Sequence, residues 1–135
     1  MLEMSKPSLR NFMGEGVYDG FSIAKATSEH ANILQHNLRD SDVRECIIHG
    51  ASPFRALMSG VREKGENYTC IIDGQPICMF GVNPIMEMMI GRIWLLGSYE
   101  IEKRGRKFIR WSQSVVNYYQ EKYYQLENVV PADHK

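Results

Sequence analysis

The stretch Tyr68-Thr69-Cys70-Ile71-Ile72-Asp73-Gly74-Gln75-Pro76-Ile77-Cys78-Met79-Phe80-Gly81-Val82 constrains the fold more than any other. Asp-Gly between two apolar runs predicts a tight hairpin, because a type I′ turn needs positive φ at both central positions. Alternation then puts Cys70, Ile72, Ile77 and Met79 on one face and Thr69, Ile71, Cys78 and Phe80 on the other. Both faces are largely apolar, so layers on both sides of the sheet are expected. Pro76 sits next to the turn, where a lost donor is tolerable. With Asp73-Gly74 as the turn, Cys70 stands opposite Ile77 and Cys78 opposite Thr69. The two thiols are then expected to point to opposite faces and not to bridge. With Cys46 they make an odd set without CxxC spacing, and all three read as small apolar core residues.

The rest of the chain alternates helix and strand signals. Phe21–Ala26 alternates as a first strand. Thr27 or Ser28 can cap a helix carrying Ile33, Leu34 and Leu38, although His30 three residues after Thr27 does not complete the usual capping box. Asp40 or Ser41 can cap a second helix through Cys46, Ile47 and Ile48, with Gly50 as its C′ residue. Ser52-Pro53 opens a third, with Phe54, Leu57, Met58 and Val61 as its stripe and Gly65 as its stop. After the hairpin, Asn83–Gly91 is a Met-rich connection and Ile93–Gly97 a buried strand. A long helix is predicted from about Lys103 to Tyr124, then a strand at Leu126–Val130. Tyr118, Tyr119, Tyr123 and Tyr124 cannot all face inward from one helix. Strand, long helix, strand makes a βαβ unit.

The architecture implied is α+β, a single domain over residues 17–135 behind a polar arm at 1–16. Lys+Arg and Asp+Glu are both 16, so the formal net charge is zero. That argues against general nucleic-acid binding and against a polybasic membrane anchor. No run approaches the roughly 18 apolar residues of a membrane span, and the first residues lack the apolar core of a signal peptide. An intracellular protein is expected.

Lys103, Arg104, Arg106, Lys107 and Arg110 crowd the expected start of the long helix. A helix start offers free N–H groups to a phosphate, so this is a candidate anion site, and a solvated basic face is the plainer reading. Among Glu87, Glu100 and Glu102, one lies near a strand end and could act as a general base. His30, His36, His49 and His134 lack metal-ligand spacing, so no metal is expected. Ser98 follows Gly97 without a Gly-x-Ser-x-Gly elbow, which argues against a serine hydrolase.

The order of elements resembles the GNAT (GCN5-related N-acetyltransferase) fold. That implies a three-layer α/β/α domain around a mostly antiparallel sheet, here ending before the fold's last elements and so C-terminally truncated. Residues 37–45 (NLRDSDVRE), 73–82 (DGQPICMFGV) and 94–98 (WLLGS) also resemble a phage family that includes the internal virion protein A (core protein) of short-tailed phages. This second resemblance implies a virion-associated or assembly role in the host bacterial cytoplasm or the virion, through contacts with phage or host proteins. A small anti-host factor is a further reading. The unfinished sheet edge at Leu126–Val130 leads to an expected homodimer. The GNAT resemblance implies an alternative, an acyl-CoA-dependent N-acetyltransferase. Leu96, Gly97 and Ser98 would then meet the thioester and pantetheine, Lys103, Arg104, Gly105, Arg106 and Lys107 would hold the pyrophosphate, and Glu100 would be the base. The family's Arg/Gln-x-x-Gly-x-Gly/Ala is reduced here to Lys103-Arg104-Gly105-Arg106-Lys107. No resident cofactor is therefore expected on the leading reading, with acetyl-CoA kept for the alternative.

Overall fold

The computed structural model describes residues 17–18, 20–62, 66–85 and 89–128. The predicted arm at 1–16, the stop at Gly65, residues 86–88 of the Met-rich connection with the candidate base Glu87, the last two residues of the predicted strand Leu126–Val130, and His134 lie outside them. In chain order the elements are β1 (Val17–Tyr18), β2 (Phe21–Lys25), α1 (Ser28–Leu34), α2 (Asp40–Ile48), α3 (Pro53–Arg62), β3 (Glu66–Ile72), β4 (Gln75–Ile85), β5 (Ile90–Gly97), α4 (Glu100–Arg104), α5 (Arg106–Lys122) and β6 (Gln125–Glu127). The strands form one sheet in sequence order, antiparallel throughout except for the parallel pair β5–β6.

The hairpin is present, with Asp73 at φ 51° and Gly74 at φ 77° as a type I′ turn requires. Its register departs from simple alternation. Ile72 pairs with Gln75 and Ile71 with Pro76, but Cys70 then pairs with Cys78. Ile77 is the extra residue of a β-bulge. Pro76 has no N–H to carry the ladder past the turn, and the strand takes up its additional residue there. The correction reaches every side chain beyond it. Cys70 and Cys78 are cross-strand neighbours rather than residues of opposite faces, and both are free, fully buried thiols. Burial and the neighbouring Cys70 push the Cys78 thiol well up. Met79 moves to the face of Thr69, while Cys70, Ile72, Cys78 and Phe80 share the other.

Two cores result, one on each face of the sheet. Against α1, α2 and α3 lie Met79 and Leu96, with Ala31, Leu34, Leu38, Cys46 and Leu57 from the helical side. Against α5 lie Phe21, Ile23, Tyr68, Phe80 and Val82, met by Phe108, Trp111, Val115, Tyr118 and Tyr119. Trp111 is the centre of that layer, with ring centroids 5.0 Å from Phe80, 5.4 Å from Phe108 and 5.7 Å from Phe21. Tyr118, Tyr119 and Tyr123 are buried and Tyr124 is exposed; the helix ends at Lys122, so Tyr123 and Tyr124 lie beyond it rather than on α5.

The helix ends follow local chemistry. Ser52 Oγ accepts from Arg55 N–H at the start of α3. Gly50, at φ 80°, ends α2, donating to Ile47 O while Ala51 donates to Cys46 O, a Schellman pair. Neither Asp40 nor Ser41 caps α2, whose N-cap is Arg39. α1 stops at Leu34 rather than Leu38. β4 runs on to Ile85, pairing Asn83, Pro84 and Ile85 with Arg92, Gly91 and Ile90. The long helix breaks at Gly105, which at φ 53° separates α4 from α5.

At α1 the capping box is complete after all. Thr27 Oγ1 accepts from His30 N–H, and His30 Nδ1 accepts from Thr27 N–H at 3.3 Å. An imidazole nitrogen does the work usually given to Glu or Gln. That bond fixes Nδ1 as an acceptor, so the hydroxyl of fully buried Thr69, 2.8 Å away, donates to it. Burial holds His30 below its ordinary 6.5, with Glu29 opposing in part. The unfolded chain then takes up this proton first, so the contribution of His30 to stability is complete above about pH 6.5 and falls as the pH drops below it. Urea unfolding between pH 7.5 and 5.5 should therefore show a steeper loss for the natural chain than for His30→Gln. The variant keeps a capping-box side chain and cannot titrate, and parallel pH curves would refute the assignment.

Candidate functional site

β5 is flanked by β4 along its whole length but by β6 only at Ile90, Gly91 and Arg92. Ser98 N–H donates to Ile77 O, and the unbroken register from Cys78↔Gly97 to Ile85↔Ile90 makes Leu96, Trp94 and Arg92 turn their peptide groups to β4. Leu95, between them, directs its N–H and C=O the other way. No described strand pairs with it there. A cleft of about 690 Å³ opens at this edge, walled by Ile93–Leu96 of β5, by Trp111, Val115 and Val116 of α5, and by residues of α2 and α3 on the opposite face.

The far end of the open edge is closed by Asp42. Its Oδ2 accepts from Gly97 N–H at 2.9 Å, from Arg39 Nε at 3.0 Å and from Arg39 Nη2 at 2.8 Å. Arg39 N–H in turn donates to Gly97 O, and Leu38 bridges Ser98. Asp42 is 5% exposed. A buried carboxylate of this kind is held by its charge-assisted bonds, and three donors here converge on one oxygen. Gly97 is required as well, since a Cβ there would collide with the Ile101 side chain and lie 3.2 Å from Cys78 Cβ.

The residues expected to form a site are divided by this arrangement. Leu96 is buried and lines the cleft. Both backbone groups of Gly97 are spent on Asp42 and Arg39. Ser98 gives both N–H and Oγ–H to Ile77 O, and its Oγ accepts from Glu100 N–H. Glu100 stands at the start of α4, paired with Lys103 at 3.1 Å and Arg104 at 3.4 Å. Gly105 forms the elbow between α4 and α5, and a Cβ there would meet nothing within 4 Å. Arg106 and Lys107 are exposed on the first turn of α5, which has no side-chain cap. Lys103, Arg104, Gly105, Arg106, Lys107 and Glu100 thus gather at the elbow, and none is among the residues lining the cleft.

Asp42 carried no signal of its own among the sequence expectations. The Arg39-x-x-Asp42 spacing, one helical turn between opposite charges, was the trace available. Glu45, His49 and Arg55, which also line the cleft, were hidden for the same reason: surface polar residues of amphipathic helices look alike until the helices are placed. Among the described residues no group of His, Cys, Asp and Glu could hold a metal ion, and no helix is long and apolar enough to cross a membrane.

Comparison with solved structures places this architecture. An acetyltransferase of the GNAT family from Bacillus anthracis aligns at TM-score 0.55 and 14% identity, over 76% of this chain and 64% of that one. A transcriptional regulator from Bacillus halodurans C-125 aligns at 0.54 and 14%, over 84% of each. The ribosomal-protein-alanine N-acetyltransferase of Brucella melitensis biovar Abortus 2308 aligns at 0.53 and 13%, over 84% and 82%. The chain has the GNAT fold. No family model and no curated protein matches its sequence. At these identities the likeness is one of fold, and function has to be argued from the site.

Removing Asp42 should be costly. Asp42→Ala leaves Gly97 N–H and the Arg39 guanidinium without their acceptor, which should lower unfolding free energy by about 2–4 kcal/mol in chemical denaturation. Asp42→Asn retains an acceptor for Gly97 and should lose less. Equal stability of Asp42→Ala and the natural chain would show that the contact does not hold the strand end.

Proposed function

We propose that the cleft beside Leu95 receives the pantetheine arm of an acyl-coenzyme A and that the chain is an acyl-CoA-dependent N-acyltransferase. The observation that carries this reading is the edge of β5 between its last bond to β6 and the Asp42 closure, which no other described residue pairs. An extended arm containing amide groups can continue a ladder there as a strand would, giving one donor and taking another. The apolar walls fit its methylene segments.

The phosphate end would sit at the elbow. Arg106 and Lys107 project from the uncapped start of α5, where the helix dipole adds to their charge. A single glycine precedes them where two would allow a close backbone cradle, so the anion would be held chiefly by side chains. Gly97 and Ser98 would shape the end of the channel rather than donate to the thioester, since their groups are committed within the fold. When bound, the coenzyme supplies an activated acyl group on sulfur. The chain's own contribution is to align the arm along β5 and exclude water behind it with Trp94, Trp111 and Tyr119.

A second reading, a virion-associated or assembly protein acting through protein contacts, draws on the sequence resemblance and on apolar side chains left in solvent. Ile47 of α2 is 64% exposed and Ile109 of α5 58%. Self-association belongs to this reading. A monomer by light scattering at high concentration would remove its homodimer.

The two readings separate on one titration. Millimolar acetyl-CoA should raise the melting temperature by several degrees, as mass action demands of a ligand specific to the folded state. Arg106→Glu with Lys107→Glu should shrink the shift. No shift at all would overturn the acyltransferase reading.

A further inference from the structure

The cleft continues past β5 to the opposite face of the sheet, where α2 and α3 form a polar rim. Ser41, Glu45 and His49 succeed one another at four-residue intervals on α2, and Arg55 and Ser59 do so on α3, so each set shares a helix face. All five line the same cleft as Leu95. Its other charged walls are already matched: Asp42 with Arg39, and Arg92 with Glu127 at 2.8 Å. The Glu45 carboxylate, the His49 ring and the Arg55 guanidinium have no side-chain hydrogen-bond or ion-pair partner among the described residues, so all three are available to a ligand.

Arg55 also lines a second, adjoining cavity of about 950 Å³ that shares Ser59 and Asn83 with the first. Arg62, two turns along α3 from Arg55, lines it too, and no acidic residue is among the described residues that do. The rim is therefore polarised. Its α2 side carries a carboxylate and an imidazole, and its α3 side carries guanidinium groups. Inside a concave site such charges favour a ligand of complementary polarity and reject one that leaves either side unmatched.

We propose that this rim is the acceptor subsite and that it takes a free α-amino acid, its ammonium or amine toward Glu45 and His49 and its carboxylate on Arg55. The proposal deepens the acyltransferase reading and rests on it for the reaction. The geometry agrees in one further respect. The rim and the open edge of β5 are walls of one cleft, so an amine beside Glu45 shares a chamber with the acyl end of an arm laid along Leu95. Arg55 would act as a positioning and specificity residue, because guanidinium forks match carboxylates in a planar geometry that an ammonium or amide cannot reproduce.

The test needs no coenzyme. The full chain, labelled with ¹⁵N, is titrated with the standard L-amino acids, their carboxamides and their N-acetyl derivatives, following amide shifts of α2 and α3. At least one free amino acid should bind saturably and about tenfold or more tightly than its carboxamide, the scale of one lost charge-assisted contact. Its N-acetyl derivative should bind no better than the carboxamide. Arg55→Gln should bring the acid down to the level of the carboxamide, and Glu45→Gln should weaken both. Both side chains stand at the surface of their helices, so the variants should fold normally. The proposal is overturned if no amino acid binds, if the three derivatives bind alike, or if both substitutions leave affinity unchanged. A thermal shift with acetyl-CoA but no amino-acid binding would sink this inference and leave the acyltransferase reading standing. Amino-acid binding without an acetyl-CoA shift would do the reverse.

Discussion

The contact between the Asp42 carboxylate and the Gly97 N–H fixes more of this molecule than its size suggests. It joins the first turn of α2 to the last residue of β5, 55 positions apart in the chain. Arg39 completes it twice, by pairing with the carboxylate and by giving its own N–H to Gly97 O. A strand edge left open for its whole length would invite another chain. Here the edge is paired at one end by β6 and closed at the other by this buried charge, and among the described residues a cleft lies between them. The carboxylate is tolerable at 5% exposure because three donors reach it and two of them belong to the Arg39 guanidinium.

The two cores on either side of the sheet are built differently, and the difference suits the cleft they share. The α5 face is aromatic, with Trp111 set among Phe21, Phe80 and Phe108, and ring packing of that kind resists small displacements. Its far end is tied by polar bonds: Tyr118 and Tyr68 donate to the Glu66 carboxylate, and Lys122 pairs with it. Burial pushes Tyr118 up to about 12, so it remains a donor throughout the physiological range. The helical face opposite is aliphatic and smaller in scale, and its outer rim carries the charges that no other described residue matches.

Reading the sequence located the elements well because their signals are local. Asp73-Gly74, Ser52-Pro53 and Gly50 each dictate backbone angles within a few residues, and each occupies the role its chemistry implies. Where the reading failed, a single residue had displaced a pattern. Pro76 removed one donor, Ile77 was bulged, and all alternation beyond it changed face. His30 looked like a missing capping residue and was instead a good one, since a neutral imidazole nitrogen accepts a hydrogen bond as a carboxylate does. Gly105 was expected inside one long helix and is the break between two.

The candidate site was far less legible. Leu96 lines the cleft, and Glu100 and residues 103–107 gather at the elbow, but the cleft depends on where strand pairing stops, and among the described residues none continues along β5 past Arg92. No residue encodes that. By itself the sequence determined the hairpin, the amphipathic helices, the need for cover on both faces and the neutral charge balance, because these follow from period, turn chemistry and composition. Only the tertiary structure decided which charges cancel and which face the cleft. Asp42 and Glu45 differ by three positions on one helix, yet one is buried under β5 and the other stands on the rim. A helix turns through 100° per residue, so where its axis lies against the sheet, and not the identity of the residue, separates a structural carboxylate from one a ligand can reach.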